Sequence, residues 1–142
     1  MIAALSSSPK RRRSHLLFQS IPNAGYDGVR TAQFLRYLLR HLRGNVIVVW
    51  DRGSHHRAKV VRDFLAKQPR LTIDYLPPCA PELNPVEYLW SPLKCSKLAN
   101  VCYKDALELD DWITDHLSDY AENHAILGNF FKATPLQAAL KR

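Results

Sequence analysis

The sequence predicts a layered α/β domain, and three observations predict it. Val46–Trp50 and Leu71–Leu76 are short apolar runs with little polar alternation, the pattern of parallel strands covered on both faces. Around them, apolar residues recur at helical spacing, so that strand and helix patterns alternate along the chain. The 142 residues suffice for a single domain with one ordinary core.

The elements follow in order. "MIAALSSS" and "SHLLFQSIP" read as two strands joined by the basic turn "PKRRR". From Val29 to Arg43, Phe34, Leu35, Leu38, Leu39 and Leu42 form a helical stripe that Gly44 and Asn45 end. Asp27 reads as a turn residue or the cap of that helix. The strand Val46–Trp50 comes next, then a helix marked by Val60, Val61, Phe64 and Leu65 that stops before Pro69. After the strand "LTIDYL", the proline-rich loop "PPCAPELNP" leads into a third helix, with Asn84 as N-cap and Pro85 at the first helical position. Pro92 inside that helix removes a hydrogen bond at a cost of ~3 kcal/mol, so a kink or a break after Trp90 is expected. Leu109, Trp112, Ile113, His116, Leu117 and Tyr120 outline a fourth helix, and "AILGNFFKA" a short last one. Trp90 and Trp112 read as core residues.

The chain carries 20 Lys and Arg against 13 Asp and Glu, a net charge of +7 that favours a polyanionic partner, nucleic acid first. Arg36, Arg40 and Arg43 lie opposite much of the leucine stripe. With Lys10–Arg13 and the group Arg57, Lys59, Arg62, they are either a solvated face or a track for a DNA backbone. No apolar run is long enough to span a bilayer, and no secretory signal is read at the start. The three cysteines lack metal-type spacing and read as reduced thiols, which argues against zinc.

Two carboxylates hold positions suited to chemistry. Asp51 ends an apolar strand at its carboxyl tip, the ligand-binding edge of a parallel sheet, and Gly53 lets the chain turn away. Glu87 lies three residues after Asn84, and two readings compete for it. In one it is a capping-box residue bonding back to the Asn84 backbone. In the other it joins Asp51 and a third acid in binding two divalent cations ~3.5–4 Å apart, for displacement at phosphorus. Hard oxygen ligands suit Mg²⁺ or Mn²⁺.

"WDRGSHHRAKVVRDFL" followed by "YLPPCAPELNPVEYLW" resembles the second half of a DDE transposase domain of the mariner-like superfamily, in its bacterial insertion-sequence branch. The tract from "YLPP" through "NPVE" to "LW" is the most specific part. The resemblance implies an RNase H-like fold, a mixed sheet flanked by helices, and DNA strand cleavage and transfer with two metal ions on three acids. By motif position it makes Asp51 the second acid and Glu87 the third, with thirty-five residues between them. His56 then supports the site and Asn84 aims the glutamate. Arg11, Arg12, Arg13, Arg36, Arg40, Arg52, Arg57 and Lys59 are the expected DNA contacts, with transposon ends and target DNA as partners. The implied setting is the bacterial cytoplasm, at the nucleoid. His55 is expected to be solvated.

Two departures matter. Asp27 is the lone acidic residue before Asp51 and does not take the first-acid role, so the sequence reads as a partial catalytic domain over residues 1–142. It is expected to lack the first central strand with its Asp, which an upstream chain could supply, and the N-terminal DNA-binding module. Arg52 stands where many relatives carry Asn, and its guanidinium could hold a phosphate or pair with Asp51. The reading is therefore a transposase catalytic fragment, against two rivals. One is a catalytically dead remnant that at most binds DNA; the other is a different RNase H-like nuclease, against which the "NPVE" tract argues.

Overall fold

A computed structural model describes residues 1–8, 13–23, 25–97 and 103–135. Two compact units form: Met1–Asn23 with Pro81–Arg142, and Ala24–Ala80. The length of the chain predicts one domain with one core. The difference lies in connectivity, because one unit is assembled from both ends of the chain.

In the first unit, β1 (Ile2–Ser7) and β2 (Ser14–Gln19) pair antiparallel, from Ile2 opposite Gln19 to Ser7 opposite Ser14. Helices α3 (Pro85–Pro92), α4 (Ala106–Glu122) and α5 (His124–Lys132) complete the unit. Leu16 of β2 joins Leu89, Leu93, Leu117 and Leu127 in one buried cluster, with Trp90 and Trp112 packed at its margin as expected. Asp105 caps α4 by accepting the N–H groups of Leu107 and Glu108, each at 2.9 Å. Glu108 reaches back to the Lys104 N–H at 2.7 Å.

Of the kink or break expected at Pro92, the break after Trp90 does not occur. The helix runs through Pro92 and widens into a π-helical turn over Leu93–Lys97. A π turn re-spaces the backbone bonds around the missing proline N–H. Leu93, 1% exposed, anchors the turn in the core.

In the second unit, β3 (Val46–Trp50) and β4 (Leu71–Tyr75) pair parallel in register, Val46 opposite Leu71 and Trp50 opposite Tyr75. Helix α1 (Gly28–His41) precedes β3, and α2 (Lys59–Leu65) makes the crossover between the strands. Asp27 caps α1 by accepting the Arg30 N–H at 2.9 Å, the role read from its position. Phe34, Leu35 and Leu38 of α1 and Val61 of α2 are buried. At the other end of α1, Arg70 donates to the carbonyls of Leu39 and Leu42, satisfying acceptors that a helix end leaves open.

Both strand directions of the expected mixed sheet are present, divided between two separate two-stranded sheets. One expectation fails here: β3 is not covered on both faces, since Ile47 is 68% exposed. Its apolar sequence marks a residue able to be buried, and no element among the described residues covers it. Among the described residues no helix is long and apolar enough to cross a membrane.

Helices α1 and α2 begin side by side. A Cβ on Gly28 would stand 2.4 Å from the Ala58 Cβ and 3.0 Å from Val60 Cγ1. Gly28→Val is expected to lower stability by about 1–3 kcal/mol through overpacking. Urea unfolding followed by circular dichroism measures it, and an unchanged midpoint would show that the helices part freely.

Candidate functional site

The geometry is clearest around Asp51. The parallel ladder ends with the Leu76 N–H donating to the Trp50 carbonyl at 2.9 Å, and Asp51 is the next residue beyond it. The chain then turns through Gly53 into a single 3₁₀ turn over Ser54–Arg57. The Gly53 N–H donates to Asp51 Oδ1 at 2.8 Å, and His56 Nε2 lies 3.3 Å from the same oxygen. No donor among the described residues reaches Oδ2. The carboxylate is thus held by one oxygen and presents the other, with its side chain 64% exposed. Gly53 is required for close approach: a Cβ there would meet His55 Cε1 at 2.7 Å and Asp51 Oδ1 at 3.0 Å.

His56 is itself held by an aromatic stack. Its ring lies on the Trp50 indole with centroids 4.2 Å apart and planes at 23°, and its side chain is 13% exposed. Nδ1 is buried without a partner among the described residues, as is Trp50 Nε1. With the ring proton on Nε2, the N–H dipole faces the carboxylate. Burial, reinforced by neighbouring His55 and opposed by Asp51, pushes the His56 pKa down to about 4. The ring is therefore neutral at physiological pH. His55 differs from expectation. It is half-buried, with its ring 4.0 Å from that of His56, because the tight Gly53 turn folds both imidazoles against the strand tip.

Glu87 belongs to the other unit. Asn84 caps α3 by accepting the Val86 N–H at 3.2 Å, as read from the sequence. The Asn84 N–H, however, goes to the Pro81 carbonyl at 2.9 Å, so the capping-box reading of Glu87 does not hold. The turn over Pro81–Leu83 has already satisfied the donor that a capping box would need. Glu87 is exposed and lines an open cleft of about 220 Å³ with Pro81, Glu82, Tyr88 and Ser91. Tyr88 braces the cleft by donating its hydroxyl to the Glu82 carbonyl at 3.4 Å.

Among the described residues no cluster of three His, Cys, Asp or Glu side chains forms a ready metal cage. The chemistry of the two carboxylates nonetheless suits a hard divalent cation: each is exposed, and neither is paired with Lys or Arg among the described residues.

The expected DNA contacts separate along the second unit. Arg52, Arg57 and Lys59 lie near the carboxyl end of β3, all exposed. Arg36 sits midway along α1, 5.5 Å over the Phe64 ring. Arg40 is in the last turn of α1, the end that Arg70 caps, and Arg43 follows that end. Since α1 spans fourteen residues, or about 21 Å at 1.5 Å per residue, these cations form a ridge rather than one cluster. Arg13 is exposed, whereas Arg11 and Arg12 lie outside the described residues. Sequence reading missed the Trp50–His56 stack and the seat of Arg52, whose Nε donates to the Leu76 carbonyl at 3.3 Å. A tryptophan closing an apolar strand shortly before a histidine was the available signal for the first. The second had none, because the acceptor is backbone.

Residues 11–110 match the family model described as DDE superfamily endonuclease. No curated protein matches the chain. Among solved structures, the catalytic domain of Mos1 mariner transposase is similar with a TM-score of 0.64 at 19% identity, covering 87% of this chain and 63% of that one. The Mos1 transposase paired-end complex with left transposon end gives 0.70 at 18% identity, covering 93% and 44%. The Mos1 catalytic domain with Raltegravir and Mn gives 0.64 at 19%, covering 87% and 64%. The shared fold is the RNase H-like one expected from the sequence. The chain spans less than two thirds of the length of each of these structures.

The His56 environment makes stability depend on pH. Its folded pKa, about 4, lies below the ordinary 6.5, so the unfolded chain binds the proton more readily. Stability is therefore full above about pH 6.5 and falls as pH drops toward 4. The loss is at most roughly 3 kcal/mol at about 1.4 kcal/mol per pKa unit. Urea midpoints across that window are expected to fall more steeply for the wild type than for His56→Gln; parallel slopes would refute the assignment.

Proposed function

Because the chain belongs to the DDE superfamily endonuclease family, we propose that it is part of a transposase catalytic domain that cuts and joins DNA. We place it in the mariner-like superfamily, bacterial insertion-sequence branch, acting on transposon ends and target DNA at the nucleoid. The observation that carries the reading is the Asp51 carboxylate, held at a strand tip through one oxygen with the other presented to solvent. Asp51 and Glu87 would each supply a carboxylate to Mg²⁺ or Mn²⁺. Metal held there would supply activation of the attacking oxygen and stabilisation of the leaving one at a phosphodiester.

The chain's own residues do the positioning. Gly53 and His56 fix the Asp51 carboxylate, and neutral His56 adds no charge to repel a cation. Asn84 starts α3 so that Glu87 falls in its first turn with its carboxylate unbound by the cap. Arg13, Arg36, Arg40, Arg57 and Lys59, with Arg11 and Arg12, meet DNA phosphates and position the duplex without reading its sequence.

A second reading, DNA binding without catalysis, is favoured by one observation. Asp27, the lone acid before Asp51, is committed to capping α1, so a first acid must come from another segment or chain.

Thermal unfolding with MnCl₂ tests the metal site. At a Mn²⁺ concentration of about 100 Kd the wild type is expected to gain about 2.7 kcal/mol, and Asp51→Asn and Glu87→Gln to lose most of that gain. A wild type indifferent to Mn²⁺ that still binds DNA would establish the non-catalytic reading.

A further inference from the structure

Arg52 immediately follows Asp51, yet it does not pair with it: among the described residues the Arg or Lys ion pair is Arg30 with Asp27, and Asp51 faces the neutral His56 ring instead. Successive residues leaving a strand point to opposite sides, and Asp51 Oδ1 is already engaged by Gly53 and His56. Arg52 instead lays its Nε–H on the carbonyl of Leu76, the residue that follows β4. The guanidinium is thereby tied across the carboxyl ends of both parallel strands. Its two Nη groups keep their N–H donors without a partner among the described residues.

A planar donor fork, charged at every accessible pH, exposed and fixed at its base, matches the tetrahedral oxygens of a phosphodiester. Lysine there would keep the charge but lose both the fork and the tie to Leu76. We propose that Arg52 is a phosphate-binding residue that clamps the DNA strand beside Asp51. The same tie that positions it also keeps the cation off the carboxylate, which stays available for metal. This inference rests on the proposed DNA substrate.

Fluorescence anisotropy with a fluorescein-labelled duplex tests it, titrating the full chain at several salt concentrations. Arg52→Gln is expected to weaken binding several-fold and to reduce the slope of log K against log salt by about one. Arg52→Lys should keep the slope but recover only part of the affinity. Lys132→Gln, an equal charge loss at the end of α5, should leave both unchanged. Arg52→Gln indistinguishable from Lys132→Gln would overturn the clamp. So would a lowered melting temperature with unaltered DNA binding, which would make Arg52 a strand tie alone. A wild type that does not bind the duplex would instead overturn the proposed function.

Discussion

The parallel pairing of β3 with β4 is the constraint on which the candidate site depends. Because Trp50 stands opposite Tyr75 and accepts the Leu76 N–H, the ladder stops at one defined residue, and Asp51 is the first beyond it. A slip of one residue would turn every side chain of β3 to the other face. Trp50 would then leave the stack with His56, and the imidazole would lose the surface that holds it near the carboxylate. Register, aromatic stacking and carboxylate orientation are therefore one arrangement. The Leu76 peptide closes it from both sides, with its N–H on the Trp50 carbonyl and its carbonyl under Arg52.

The turn after Asp51 achieves this orientation in very little chain. Gly53 combines two demands that no other residue meets together. Its N–H must reach Asp51 Oδ1, and its α-carbon must leave room for the His55 ring. The burial that makes His56 a neutral ring also removes a cationic competitor from beside Asp51. Desolvation, usually a cost to a polar side chain, here sets the protonation state of the ring beside Asp51.

Much of this was legible in the sequence. The helical stripe from Val29 and the apolar runs at 46 and 71 marked α1, β3 and β4 closely, because periodicity reports which side chains need burial. Asn84 and Pro85 marked the start of α3 because capping chemistry is local. What failed depended on distant partners. Ile47 has the composition of a buried residue, but composition does not reveal whether a covering surface exists. Pro92 predicts a lost hydrogen bond, but not that the buried Leu93 would hold the helix together through a wider turn. Glu87 has capping-box spacing, but Pro81 takes the donor it needed first. The Asp51 motif was readable from spacing and resemblance, whereas its hold by Oδ1 alone is visible in three dimensions only.

Charge is unevenly divided between the two units. Residues 24–80 hold ten Lys and Arg against four Asp and Glu, so most of the net charge of +7 sits in the unit that carries Asp51. Helix α4 is the opposite case. It carries Glu108, Asp110, Asp111, Asp115, Asp119 and Glu122 with no Lys or Arg. Glu108, Asp111, Asp115, Asp119 and Glu122 are exposed and recur at helical spacing, one unbroken acidic stripe. A duplex carries one negative charge per about 1.7 Å of its axis, so a phosphate backbone is repelled along the whole stripe. Like-charge juxtaposition of this kind costs free energy and disfavours wrong encounters. On the proposed DNA substrate, the acidic stripe of α4 would repel a phosphate backbone, whereas the cations of α1 and α2 and Arg52 would attract one.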